Sequence, residues 1–310
     1  MNPISKTIAI TLGDPCGIGP EVTARAIACP VIRRLATFVV IGDMRTFLER
    51  GGRRYASCRF VDIPYPGRLR AGRVNKRAGG NALAALETAV GLLKEKRVSA
   101  LVTAPLCKEA VLMNTPGFVG HTEFLARAFG CPEVGMMFVG ESLRTMLVTR
   151  HIPLHRVSAA ISPETVSRTI LLTHQALKNL FQVRRPVIAV CGLNPHAGEH
   201  GHLGLEERDV IEPVIRALRK KRIDVRGPFA ADTLFTPERV RTYDAVVAMY
   251  HDQGLIPVKS TQKKLVNLTV GLPFIRTSPA HGTAFDIAGQ DRADAASMRA
   301  AIELAARLTP

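Results

Sequence analysis

The chain has 310 residues, enough for one large domain or two of ordinary size. Apolar residues make up 46% and charged residues 22%, which excludes a disordered, collagen-like or coiled-coil protein. Lys and Arg number 42 against 26 Asp and Glu, a formal +16, so an anionic partner is expected: nucleic acid, anionic lipid or a phosphorylated small molecule.

Short β-branched runs alternate with longer helical patterns. The first strand is expected over Thr7–Leu12. It runs into the glycine-rich segment from Gly13 to Glu21, which opens a helix. Thr37–Ile41 is the next strand, and the Gly-, Pro- and Arg-rich stretch from Gly51 to Gly80 reads as irregular surface. Leu83, Leu86, Val90 and Leu93 recur at helical spacing inside Asn81–Lys96. Ala100–Thr103 is a strand, and Gly120-His121-Thr122-Glu123 precedes a short helix. Further strands are expected at Thr145–Thr149, Val187–Cys191 and Ala245–Met249. Ser162-Pro163 starts a helix reaching Phe181, and Glu206–Lys221 reads as another, with cations at its end. Little helical pattern follows His251, and a last helix covers Ala293–Leu308. Most strand candidates are continuously apolar, as strands buried on both faces should be. The alternation implies an α/β fold with largely parallel sheets.

The six cysteines are scattered without a CxxC pair, which fits a reducing compartment. No signal-peptide layout follows Met1, and no uncharged apolar stretch reaches about 18 residues. A soluble cytoplasmic protein with no membrane partner is expected. Nucleic acid is a weak reading of the charge: there is no Trp, there are only four Tyr, and no recognised nucleic-acid motif is present.

Three strand candidates end alike. One runs into Arg150-His151, one into Gly192-Leu193-Asn194-Pro195-His196, and one into Tyr250-His251-Asp252. Carboxyl ends of parallel strands carry ligand sites. His151, His196 and His251 could therefore converge on one divalent metal, with Asp252 and Asp232 as oxygen ligands or as partners that orient the rings. The plainer alternative is three separate loop histidines. His196 and His200 do not form a zinc helix, because Pro195, Gly198 and Gly201 interrupt it. His121 and Thr122 at a helix start offer donors to a phosphate, or simply cap the helix. Lys259, Asn267 and Arg276 form a plausible anion-binding set. The loop His281-Gly282-Thr283-Ala284-Phe285-Asp286 places a carboxylate where it could bind a ribose diol, or cap a turn.

In their order, these segments resemble the 4-hydroxythreonine-4-phosphate dehydrogenase family of vitamin B6 biosynthesis. The matching text is Gly-Asp-Pro-Cys-Gly-Ile-Gly-Pro-Glu from Gly13, Val-Thr-Ala-Pro-Leu-Cys-Lys from Val102 and Gly-His-Thr-Glu-Phe from Gly120. It continues with Gly-Leu-Asn-Pro-His-Ala-Gly-Glu from Gly192, Ala-Asp-Thr-Leu-Phe from Ala231, Tyr-His-Asp-Gln-Gly from Tyr250, Gly-Leu-Pro-Phe-Ile-Arg-Thr-Ser from Gly271 and the block from His281. The first and last blocks also look like isocitrate and isopropylmalate dehydrogenases.

The resemblance implies two α/β/α domains with the active site in the cleft between them. One is formed by residues 1–125 plus 270–310, the other by residues 126–269, which carry the dimerisation and metal segment. It implies NAD held by His281, Gly282, Thr283, Ala284 and Asp286, without a Rossmann fingerprint. It also implies a homodimer whose metal ligands, His151, His196 and His251, come from both subunits. The metal would be zinc, or cobalt, manganese or magnesium. Substrate would be held by His121, Thr122, Lys259, Asn267 and Arg276, with Asp252 and Asp232 handling protons. The implied reaction oxidises 4-phosphohydroxy-L-threonine and decarboxylates it to 3-amino-2-oxopropyl phosphate. Alternatives are a 4-phospho-D-threonate or 4-phospho-D-erythronate dehydrogenase, suggested by Gly-Glu-His from Gly198 and Ile-Pro-Val-Lys from Ile256, a dihydrodiol dehydrogenase on the same scaffold, and a basic nucleic-acid-binding protein. Two departures from relatives are Lys263-Lys264, within the loop Ser260–Val266, and Ala280 before the His-Gly-Thr segment.

Overall fold

Apolar runs free of charge become strands covered on both faces, and such strands organise both halves of the molecule. The computed structural model describes residues 6–262 and 264–310, so Lys263 lies outside the described residues. The chain divides into two compact units, Met1–Pro132 with Leu272–Pro310, and Glu133–Gly271. In the first unit, β1 (Thr7–Thr11), β2 (Thr37–Gly42), β3 (Cys58–Asp62), β4 (Ala100–Thr103) and β11 (Ile275–Pro279) lie in the order β3-β2-β1-β4-β11, all parallel. Ile8, Ile10, Phe38, Ile41 and Leu101 are fully buried in it.

The helix Lys76–Lys94 buries the predicted stripe: Leu86, Val90 and Leu93 join this core, and Leu83 packs with Val111 and Phe118. It starts earlier than its apolar pattern because the Asn75 side chain caps it, accepting the Arg77 N–H at 2.8 Å. The stretch from Gly51 to Gly80 is also not wholly irregular, since it contains β3. That edge strand is nowhere fully buried, so no continuous apolar run marks it. The helix Ala296–Leu308 closes the unit on Met298, Ala301 and Ile302, and Lys6 ties to its end through the carbonyls of Ala306 (3.0 Å) and Thr309 (2.6 Å).

In the second unit, β5 (Gly135–Val139), β6 (Arg144–Leu147), β7 (Val187–Cys191), β8 (Asp224–Phe229), β9 (Ala245–Ala248) and β10 (Val266–Val270) lie in the order β10-β5-β6-β9-β7-β8. β6, β9, β7 and β8 are parallel, whereas β5 is antiparallel to both neighbours. The cause is the short connection 140–143, closed by the Gly140 N–H on the Leu143 carbonyl at 2.9 Å; so few residues allow only a hairpin. The helix Pro163–Asn179 begins in a Ser162/Thr165 capping box. The expected helix from Glu206 is a π turn over Glu207–Ile211 followed by an α-helix over Glu212–Lys220.

His251–Thr261 is a helix despite its weak pattern and the internal Pro257. Packing decides the matter: Gly254 abuts β6 and β9 so closely that a Cβ would fall 2.6 Å from Leu147 Cδ2. Among the described residues, no helix is long and apolar enough to cross a membrane.

Candidate active site

Strand order places the three histidines. β6, β9 and β7 are adjacent and parallel, and His151, His251 and His196 follow their carboxyl ends. The His151 and His251 rings lie with centroids 5.6 Å apart, tilted at 46° to each other. His251 Nδ1 pairs with Asp252 Oδ1 at 2.7 Å, and His196 Nδ1 with Glu199 Oε1 at 2.5 Å. In both, a carboxylate occupies one ring nitrogen and leaves Nε2 for another partner, the arrangement of metal-binding imidazoles. Glu199, reinforced by Asp232, raises the His196 pKa.

His196, Asp232 and Asp252 line a cavity of about 540 Å³ whose walls also include Asn194, Tyr250 and Ile256. His196 is exposed at the start of a left-handed turn: His196, Ala197, Gly198, Glu199 and His200 all have positive φ, between 41° and 80°. Among the described residues, no three His, Cys, Asp or Glu side chains are gathered into a ready metal cage. The donor set nonetheless suits a divalent metal: three imidazoles at neighbouring strand ends, two of them backed by carboxylates.

The substrate candidates divide between the units. In the first, Arg276 on β11 is buried, 3% exposed, and donates to Thr103 Oγ1 at 2.6 Å. Burial pushes its pKa down to about 10, which leaves it charged at neutral pH. His121 begins the helix His121–Ala128, which no side chain caps. Burial, then the Arg276 and Lys108 charges, hold His121 well below its usual range, so the ring is neutral and faces cations. Thr122 is buried beside it. Uncapped helix N–H groups, a neutral imidazole and a fixed guanidinium thus stand together, groups whose chemistry suits an anion. In the second unit, Lys259 is exposed on the helix His251–Thr261, not on an irregular segment, and Asn267 lies on β10 with its Oδ1 buried and unpaired.

The loop from His281 is braced from below. Thr283 O accepts the Ile18 N–H at 3.0 Å, and a Cβ on Gly17 would meet Thr283 at 3.0 Å. Gly17 thus serves close packing against that loop, which explains one glycine of the first block. Ala284 has φ 42°, Gly282 faces open space and Asp286 is exposed.

Sequence reasoning passed over two residues. Lys108 reaches the Gly120 backbone, where a Cβ would lie 3.3 Å from Lys108 Cε; its signal was its place at the end of the Val102 block. Glu207, 2% exposed, sits beneath the His196 loop, and nothing in its local sequence marked it.

The fold defines the class as α/β: with a β-decarboxylating dehydrogenase from Thermococcus kodakarensis the chain shares the fold alone, at 15% identity and a TM-score of 0.50, over 95% of this chain and 81% of that one. The family is narrower. Residues 31–305 match the family described as Pyridoxal phosphate biosynthetic protein PdxA, and the chain belongs to it. The 4-hydroxythreonine-4-phosphate dehydrogenase of Acidithiobacillus ferrooxidans is 41% identical, over 97% of this chain and 96% of that one. A crystal structure of the Klebsiella pneumoniae 4-hydroxythreonine-4-phosphate dehydrogenase superposes with a TM-score of 0.87 at 37% identity, covering 100% of this chain and 99% of that one. A terephthalate 1,2-cis-dihydrodiol dehydrogenase from Burkholderia xenovorans has a TM-score of 0.66 at 32% identity, over 97% and 98% of the two chains. The chain is an oxidoreductase of this family.

Proposed function

We propose that the chain is a cytoplasmic, NAD-dependent 4-hydroxythreonine-4-phosphate dehydrogenase. It would oxidise the secondary alcohol of 4-phosphohydroxy-L-threonine and release 3-amino-2-oxopropyl phosphate after decarboxylation. The observation that carries the reading is the placement of His151, His251 and His196 on three adjacent parallel strand ends. These imidazoles would hold one divalent metal (zinc, cobalt, manganese or magnesium), which supplies Lewis acidity toward the alcohol and the ketone it becomes.

The chain's own groups bind and orient. Arg276, His121 and Thr122 take an anionic end of the substrate, while Lys259 and Asn267 supply a cation and an amide. The loop from His281 to Asp286 would hold the dinucleotide, with the Asp286 carboxylate available to a ribose diol. When bound there, the dinucleotide would supply the hydride acceptor for oxidation of the alcohol. Asp252 and Asp232, both exposed in the His196 cavity, take the hydroxyl proton and return one to the carbon that loses CO2.

A homodimer is part of this reading. Leu154 is 72% exposed, Ile256 67%, Leu205 47% and Leu203 46%, all in segments next to the metal histidines. Such apolar exposure is what a second copy would cover. Sedimentation of the purified protein as a monomer would remove this part.

The test is NADH formation with purified 4-phosphohydroxy-L-threonine, 4-phospho-D-threonate, 4-phospho-D-erythronate and an unphosphorylated dihydrodiol, each with and without a chelator. The expected result is turnover of the first alone, lost on chelation and restored by a divalent metal. Turnover of another substrate alone would move the assignment to it, and activity surviving complete metal removal would exclude the three-histidine site.

A further inference from the structure

His196 stands on backbone that an ordinary sequence avoids. Five consecutive residues, His196 (φ 52°), Ala197 (54°), Gly198 (80°), Glu199 (41°) and His200 (59°), form a left-handed turn, and four of them are not glycine. Side chains disfavour this backbone at each non-glycine residue, so the turn persists only where its surroundings hold it.

The structure shows what holds it. Glu207 Oε1 accepts the N–H of Leu193 at 2.6 Å and of Asn194 at 2.7 Å, and its Oε2 accepts Asn194 Nδ2 at 2.9 Å. Three donors from the two residues before Pro195 thus converge on one buried carboxylate. Two glycines let the loop close on it. A Cβ at Gly192 would lie 2.9 Å from Oε1, and one at Gly198 would lie 2.7 Å from Oε2. Glu206 adds a second grip on Asn194 Nδ2 at 2.8 Å, itself anchored by the Ser158 hydroxyl. Glu207 begins the π turn Glu207–Ile211, an irregularity frequent at functional sites.

We propose that Glu207 is a positioning residue that, through Asn194, sets the backbone presenting the His196 imidazole to the metal. The inference rests on the reading of His196 as a metal ligand given above. Glu207 touches neither metal nor substrate. Its carboxylate fixes the last two residues before Pro195, and so the direction in which the left-handed turn leaves β7. Removing an outer partner of this kind lowers metal affinity by about 10- to 100-fold.

The experiment is calorimetric titration of metal-stripped, full-length protein with Zn2+ alone, alongside NAD binding to the same samples. The proteins are wild type, His196→Ala, Glu207→Gln, Asn194→Ala and the control Glu212→Gln, whose exposed carboxylate pairs with Arg216 at 3.2 Å. Glu207→Gln keeps the shape but places an NH2 where Oε1 or Oε2 now accepts donors. Expected is a loss of Zn2+ affinity of about 10- to 100-fold in both Glu207→Gln and Asn194→Ala, with NAD binding and Glu212→Gln unchanged. If Glu207→Gln does not fold, Asn194→Ala carries the test. Wild type that binds no Zn2+, or His196→Ala that binds as wild type does, would remove the ligand reading and this inference with it. Loss in His196→Ala with wild-type affinity in Glu207→Gln or Asn194→Ala would overturn the positioning role alone. A parallel loss of NAD binding would mean general damage and overturn it too.

Discussion

Replacing Asp14 with Asn should stabilise the protein, and by more at alkaline than at acidic pH. Asp14 is fully buried in the turn after β1. Its Oδ1 accepts the Cys16 N–H at 2.8 Å, the Cys107 N–H also points at the carboxyl, and Oδ2 is buried with no partner. Burial outweighs those two N–H groups and raises the pKa from 3.8 to about 6. Below the unfolded value both states are protonated and the charge costs nothing. As pH rises, the unfolded chain releases its proton first, so stability falls until the folded carboxyl ionises near pH 6. At about 1.4 kcal/mol per pKa unit, the full penalty is about 3 kcal/mol, of which about 2 kcal/mol develops between pH 4.5 and pH 8. Asn keeps the accepting oxygen and cannot ionise. Urea denaturation of both proteins at the two pH values should therefore show the Asp14→Asn advantage growing by about 2 kcal/mol at the higher one. An advantage that is the same at both would refute a buried, reluctantly ionised Asp14.

Arg276→Met should lower kcat/KM by about 10- to 100-fold, mainly through KM, because a charge-assisted contact to an anion contributes about 1.5–3 kcal/mol. Stability should change little, since an apolar side chain of similar length replaces a desolvated cation; steady-state kinetics and thermal melts separate the two effects. Gly13→Ala should cost about 3 kcal/mol or more, read as a fall in Tm. Gly13 has φ 68°, and its Cβ would lie 2.1 Å from the Pro105 carbonyl oxygen.

The placement of His151, His196 and His251 at strand ends was legible because β7 and β9 are unbroken apolar runs, β6 ends in one, and a parallel α/β pattern assigns ligands to those ends. The missing elements hide for specific reasons. β11, Ile275-Arg276-Thr277-Ser278-Pro279, is buried at every position yet largely polar, because Arg276 and Thr277 make internal hydrogen bonds, to the Thr103 hydroxyl and the Ala301 carbonyl. β3 and β8 are edge strands whose charged residues break the apolar run. The helix His251–Thr261 owes its form to contacts with β6 and β9 rather than to its own residues. Lys108 carried as local signal only its place at the end of the Val102 block, and Glu207 carried none. One matters through Gly120 and His121 and the other through Leu193 and Asn194, pairings that only tertiary contact creates.

The first unit is assembled from both ends of the chain, which bears on how the protein is born. A ribosome finishes Glu133–Gly271 while the first unit still lacks its late segment. Until Leu272 and beyond emerge, β4 has no β11 at its side and nothing covers the faces that Met298 and Ile302 will bury. The middle unit can therefore collapse during translation, whereas the N-terminal segment must wait, its apolar strands open to chaperones or to other nascent chains. The codons for Leu272–Pro310 decide whether that waiting segment closes, so termination before them should be far more damaging than the small missing length suggests.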